Sequence, residues 1–220
     1  MISEKVIKIV SEKFAIKDVT EKSYEKLKYP PKFIPIMKFA IKRYEAENFG
    51  NLFVMDTTAM GGMMTLSTVV LTPSKGLEAP FFLIDTMNMK KKNLAYVEFY
   101  DETSRGVSSE ELSALKSKYS SVPDYAEKDG WYISERTPYS LIKGGEGVDN
   151  AVLEEMTLDA ARRYIEVAAT AKVSEENLVK LRAFRDDMCE KGNPSSATLE
   201  KLFGKEGAKK FFKEVIMPVD

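Results

Sequence analysis

The segment "PFFLIDTM" (80–87) leaves a chain few ways to fold. Read as a strand, it points Phe81, Leu83, Asp85 and Met87 one way and Phe82, Ile84 and Thr86 the other. Both faces are apolar, so the strand belongs inside a sheet that is covered on both sides. It is one of five such segments, the others being "NLFVMDTT", "MTLSTVVLTP", "NLAYVEFYD" and "WYISERTPYSLIK". Each is rich in β-branched or aromatic residues and bounded by Gly, Pro, Asn or Lys clusters. Gly61-Gly62 turns the first pair into a hairpin, and "PSKGLEAP" links the second strand to the third. "SSEELSALKSKYSSV" predicts a helix crossing between strands, with Ser108 or Ser109 as N-cap.

Helical patterns flank this sheet, predicted over 51–143 as an antiparallel meander. Over 1–48, Ile2, Val6, Ile9, Val10 and Phe14 fall at helical spacing, and "YPPKFIP" breaks the pattern. "IMKFAIKRYEAEN" reads as a short helix stopped at Phe49-Gly50. Over 150–217, helices are predicted after Thr157, after Ser174 (stopping at Gly192-Asn193-Pro194) and through "SATLEKLFGKEGAKKFFKEVIM". The fold class expected is α/β, a three-layer α/β/α sandwich whose central, mainly antiparallel sheet lies between N- and C-terminal helices. A chain of 220 residues builds this as one domain, 1–220.

Composition removes several chemistries. Lys and Arg total 33 against 34 Asp and Glu, a balance unlike that of a nucleic-acid-binding domain. One cysteine, Cys189, permits no internal disulfide and no cysteine-cluster metal site. The chain has no histidine, which removes Ser-His-Asp and Cys-His catalysis, histidine proton shuttles and most transition-metal sites. We therefore expect no metal. The opening "MISEKVIKIVSEKF" is charged and amphipathic, unlike a secretory signal, and no run reaches the roughly 20 apolar residues of a membrane span. The expected location is cytoplasmic. "IKGGEGVD" lacks the spacing and lysine of a phosphate loop.

Asp85 is then the residue that needs a reason. A carboxylate desolvated on an inner strand has a raised pKa and can hold a proton near neutrality, as a general acid must. The alternative is a strand-end carboxylate that is wet or paired with a lysine. Asp56 sits in a second apolar strand, "LFVMDTTA". A two-residue turn at Gly61-Gly62 pairs it with Ser67, whereas a three-residue loop places it opposite Thr68.

"TVVLTPSKGLEAPFFLIDTMNMKKKNLAYVEFYDE" resembles the ferredoxin-dependent bilin reductases in its strand–Pro–loop–Pro–strand–Asp arrangement. "KLRAFRDDMCEKGNPSSATLEKLFGKEGAKKFFKEVIMP" is similar to that family's ending, an arginine-bearing helix, an Asn-Pro step and a Phe-Gly-x-Glu helix. The resemblance, which extends to red chlorophyll catabolite reductase, runs from about residue 50 to the end. It implies that Asp85 is the central proton-donating aspartate and that Asp56 stands where some members have a catalytic glutamate. Thr68 stands where those members have a catalytic histidine. Asn193 lies near a second aspartate of other members, and an amide cannot donate that proton. The resemblance also implies that Lys143, and Arg182 or Arg185 on the late helix, stand at basic positions that bind substrate propionates.

The implied activity is reduction of a linear tetrapyrrole by single electrons from ferredoxin, with no bound cofactor. Lys90-Lys91-Lys92 form one basic run, the last helix adds Lys201, Lys205, Lys209, Lys210 and Lys213, and such clustered cations would dock the acidic donor. Partners in nucleic acid or membrane are not expected. Two alternatives stay open: a protein that binds a tetrapyrrole or another planar ligand without reducing it, and a reductase of a different linear tetrapyrrole that uses only the two aspartates. Methionines concentrated in "MDTTAMGGMM" and "DTMNM" suit either a large flat ligand or ordinary core filling.

Overall fold

The computed structural model describes residues 1–31, 34–100 and 109–219. Helix α1 (Ile2–Ser11) is followed by strands β1 (Ile16–Asp18), β2 (Lys26–Tyr29), β3 (Met37–Ala46), β4 (Gly50–Ala59), β5 (Met64–Thr72), β6 (Phe81–Met89) and β7 (Lys92–Tyr100). Helix α2 (Ser109–Lys118), strand β8 (Leu141–Glu146) and helices α3 (Asn150–Ala168), α4 (Glu175–Glu190) and α5 (Ser196–Phe211) complete the order, with a π-helical turn over Phe212–Ile216. The strands form one sheet in the order β1-β3-β4-β5-β6-β7-β8, with β2 also on the outer edge of β3. Every pairing between named strands is antiparallel. Among the described residues no helix is long and apolar enough to cross a membrane.

Both faces of the sheet are covered, as the doubly apolar β6 requires. On one side Leu52, Val54, Leu71, Phe82, Ile84, Val97 and Phe99 pack with residues of α1, α2 and α3. On the other, Phe39, Ile41, Phe53, Val70, Phe81 and Tyr100 pack with α4, α5 and the C-terminal turn. The sandwich therefore has three layers, and its late helices divide between the two sides. A ring stack anchors the first core: Phe82 packs on both Phe99 (centroids 4.6 Å apart) and Tyr164 of α3 (4.5 Å), which are 6.3 Å from each other, and the Tyr164 hydroxyl donates to the Pro80 carbonyl at 2.7 Å.

Three local expectations are corrected. Residues 1–48 are not helical beyond Ser11, because Met37–Ala46 forms a ten-residue strand. Its buried face changes partway: Phe39 and Ile41 face the α4–α5 layer, while Tyr44 and Ala46 face the α1 layer. That switch spaces the apolar residues as a helix would. The fifth strand starts only at Leu141, since Trp131–Ile133 forms a 3₁₀ turn and the Trp131 indole donates to the Gly192 carbonyl at 2.7 Å. Helix α3 begins earlier than Thr157: the Asp149 side chain accepts from the Ala151 N–H at 2.9 Å, and Thr157 is a buried mid-helix residue bonded to the Leu153 carbonyl. Ser174 does cap α4. Of the two proposed caps for α2, Ser108 lies outside the described residues and Ser109 is the first helical residue.

Phe82 is fully buried in the ring stack. Replacing it with alanine is expected to cost about 3–5 kcal/mol, the usual range for removing a buried aromatic side chain. Urea denaturation of the variant checks this, and a loss below about 1 kcal/mol would show that the two layers do not depend on the stack.

Candidate functional site

The α4–α5 layer seals only one end of its sheet face. Toward the other end Met55 and Thr57 of β4, Leu66 and Thr68 of β5, Asp85 and Met87 of β6, and Tyr96 and Glu98 of β7 line a cavity of about 430 Å³. Its remaining walls come from the segment between α2 and β8 (Tyr125, Glu127, Lys128, Tyr132, Arg136), from β3, and from the Pro194–Leu199 region of α5. Apolar walls with a few convergent polar groups are the usual make-up of a small-molecule site.

Asp85 sits on the cavity floor, partly accessible, opposite Thr68 in the β5–β6 ladder. The Thr68 hydroxyl donates to its Oδ1 at 2.5 Å. Desolvation pushes the carboxyl up to about 7, opposed by that hydrogen bond. Glu98 is a second carboxyl on the same face, one strand further, where it pairs with Leu83 and is 2% exposed. Desolvation pushes it up to about 8, although the Arg136 guanidinium beside it pulls the other way. Arg136 meets Glu98 as an ion pair and binds Glu127 through both terminal nitrogens, one at 3.0 Å, while its Nε faces the Tyr100 hydroxyl at 3.3 Å. Burial, then the nearby Tyr125 and the acids, push Tyr96 up to about 12. Thr57, 2% exposed, lines the cavity, and its hydroxyl has no hydrogen-bond partner among the described residues.

Only part of the predicted site assembles here. Asp85 and Thr68 meet as a cross-strand pair. Asp56 does not join them: it pairs with Ser67, the register of a two-residue turn, although the connection itself runs from Met60 to Met63. This parity turns Asp56 to the α1 side, where Ser3 and Ser67 donate to its two oxygens at 2.6 and 2.5 Å. Lys143 is also on that side. It is buried, with Nζ 3.0 Å from the Val122 carbonyl and 2.7 Å from Asp124. Arg182 and Arg185 turn to the C-terminal segment and donate to the Val219 carbonyl. The Asn193 side chain is engaged at both ends, donating to the Met188 carbonyl at 3.1 Å and accepting from the Ser195 N–H at 2.9 Å. It borders a recess of about 30 Å³ that Asp85, Thr68 and Glu98 also line.

Glu98, Arg136 and Glu127 were not anticipated. Glu98 carried a readable signal, since "AYVEFY" places a carboxylate inside an apolar strand just as "FLIDTM" does. Arg136 and Glu127 lie in an irregular segment, whose path no periodicity reveals.

The α/β/α sandwich with a ligand-sized cavity on one sheet face defines the architecture. Among solved structures the chain is similar to phytochromobilin synthase from tomato, crystallised as the selenomethionine protein in complex with biliverdin. The TM-score is 0.78 and the identity 12%, covering 96% of this chain and 81% of that one. The chain thus has the bilin-reductase fold that the resemblance implied. No family model and no curated protein matches the sequence.

A carboxyl whose folded pKa lies above its unfolded value favours the native state at low pH. That advantage is lost as pH rises from the unfolded value near 4 through the folded one. Asp85 and Glu98 should therefore make the protein less stable on going from about pH 5 to about pH 8. The groups held low, Asp18, Asp159, Asp186 and Glu190, act below that window. Asp85→Asn is expected to flatten the slope, gaining on the order of 1–3 kcal/mol at the alkaline end once solvent access through the cavity is discounted. Thermal denaturation across the window checks it, and an unchanged slope would mean that Asp85 ionises normally.

Proposed function

We propose that this chain reduces a linear tetrapyrrole, taking electrons singly from ferredoxin and a proton from Asp85. The observation that carries the reading is a carboxyl able to hold a proton near neutral pH on the floor of a ligand-sized cavity, in a fold shared with a biliverdin-bound protein. An open-chain tetrapyrrole can accept and delocalise an added electron, so the protein has to supply only a pocket, cations for the carboxylates and protons. Each reduced double bond consumes two electrons and two protons. Asp85 gives one of these protons and is recharged from solvent. Of the cations at the cavity, Arg136 is held by two glutamates, which leaves Lys128 at the rim to meet a substrate carboxylate.

An anaerobic assay with biliverdin and reduced ferredoxin tests the reading. Biliverdin should show a shifted absorption spectrum on binding and should convert. Asp85→Asn should bind it comparably but lose about 100-fold or more in rate, the typical worth of a general acid. Conversion at the wild-type rate by Asp85→Asn would remove that residue from the mechanism, and absence of any tetrapyrrole binding would sink the substrate class.

A second reading, a binder without reductase activity, is favoured by one observation. The positions matching a catalytic histidine and a second aspartate in the family hold Thr68 and an Asn193 locked into its turn. A spectrum that shifts on binding but never converts would select it.

For donor docking, three of the five late-helix lysines already face acids: Lys209 pairs with Glu190 and Lys213 with Asp186, each at 2.8 Å, and Lys210 with Glu214 at 3.9 Å. Lys90 and Lys91 stand exposed at the β6–β7 turn. Beside them Lys92 donates at 3.1 Å to Tyr125, a residue of the cavity wall. Charge reversal at Lys90 and Lys91 should raise the ferredoxin concentration needed for half-maximal rate by about tenfold at low salt, leaving biliverdin binding intact. An unchanged requirement would place docking elsewhere.

A further inference from the structure

We infer that Glu98 is the second proton-delivering residue of this cavity, supplying the proton that the amide at Asn193 cannot. The inference rests on the reductase reading above and goes beyond it by assigning the other hydrogen. Glu98 and Asp85 point from neighbouring strands into one space: they are diagonal neighbours in the β6–β7 ladder, which pairs Leu83 with Glu98 and Asp85 with Tyr96. Both line the main cavity and also the recess of about 30 Å³. A recess of that size has room for one or two water molecules, enough for a proton path between the carboxyls.

Glu98 meets a cation and other acids together, and burial outweighs the cation. The Glu98 Oε1 is in direct ion-pair contact with the Arg136 guanidinium. Arg136 also binds Glu127 through both terminal nitrogens, so its charge is shared between two acids and Glu127 is a positioning residue for the guanidinium. Among the described residues, the other titratable or charged groups around Glu98 are Asp85 from β6, Tyr96 and Tyr100 from β7 itself, and Tyr125, Lys128 and Tyr132 from the segment before β8; a Tyr100 hydrogen bond works with Arg136 to lower Glu98. The facing end of α5 contributes Pro194, Ser195, Thr198 and Leu199, none of them charged. Burial raises the affinity of the Glu98 carboxyl for its proton, in keeping with this role.

The step balances. The bound tetrapyrrole accepts one electron from a reduced one-electron carrier and one proton from Asp85, giving a neutral radical. A second electron and the Glu98 proton complete two new C–H bonds at the reduced double bond. Two carboxylates remain and are reprotonated from water.

Two measurements test this. In single turnover with chemically reduced ferredoxin, Glu98→Gln should bind biliverdin within about threefold of wild type. It should stop at the one-electron stage, leaving a radical signal in electron paramagnetic resonance that wild type clears, with steady-state rate down about 100-fold. Glu98→Asp should restore part of that rate and shift the alkaline limb of the pH profile, which loss of packing alone would not do. Glu98→Gln turning over at the wild-type rate with the wild-type pH profile would overturn the assignment. Infrared spectra of the ligand-free protein at neutral pH supply a readout independent of any bilin: a protonated-carboxyl band should persist in Asp85→Asn and be lost in the Asp85→Asn/Glu98→Gln double variant. If wild type converts no bilin, the reductase reading fails, while the infrared result still decides whether Glu98 holds a proton. Absence of that band in Asp85→Asn would overturn the inference by itself.

Discussion

Desolvation of carboxyl groups on a sheet face is the constraint from which the rest of this structure follows. A strand such as β6, covered on both sides, offers a polar side chain either a protein partner or a cavity. Moving a lone ionised carboxylate into such a place costs far more than holding a proton on it. Asp85 and Glu98 are both in that position, and neither is met by enough opposing charge to keep it ionised at neutral pH. The α4–α5 layer could have closed over them with hydrocarbon. It closes instead at Phe81, Phe184 and Phe212, and leaves the next part of the same face open.

Arg136 shows how finely that balance is set. A guanidinium against a buried glutamate would ordinarily hold the carboxylate ionised. Here a second acid, Glu127, also binds the guanidinium, so the cation is shared and its pull on Glu98 is outweighed by burial. The arrangement also removes Arg136 as a free cation for a ligand carboxylate. The cavity wall is acidic around this one committed guanidinium, and Lys128 is the exposed cation that lines it.

The layers of the fold were legible because they depend on coarse patterns. The β-rich segments between 51 and 100 announced strands, and β6 announced a covered sheet. The Met37–Ala46 strand was not legible, since its apolar positions report two different partners, α1 at one end and α4–α5 at the other, which no single period describes. The site divided along the same line. Asp85 could be read from its strand, and Glu98 offered the same kind of signal two strands from Thr68. The propionate cations could not be placed, because β8 alternation turns Lys143 to the far face and the ends of long arginine side chains follow tertiary contacts. Asp56 turned on one unit of register, and the parity that occurs sends it to Ser3.

That parity also gives Thr68 its meaning. The resemblance places a histidine there in some bilin reductases, and a protonated imidazole opposite Asp85 would favour the carboxylate and release its proton early. A neutral hydroxyl does much less. It donates one hydrogen bond to Oδ1, lowering the pKa only partly against the effect of burial, and the carboxyl still titrates near 7. Replacing an ionisable partner with a hydroxyl therefore does not disarm Asp85. It simplifies the site to carboxyl groups whose proton affinity is set by burial, and it makes their chemistry depend on how completely a bound ligand displaces water from the cavity.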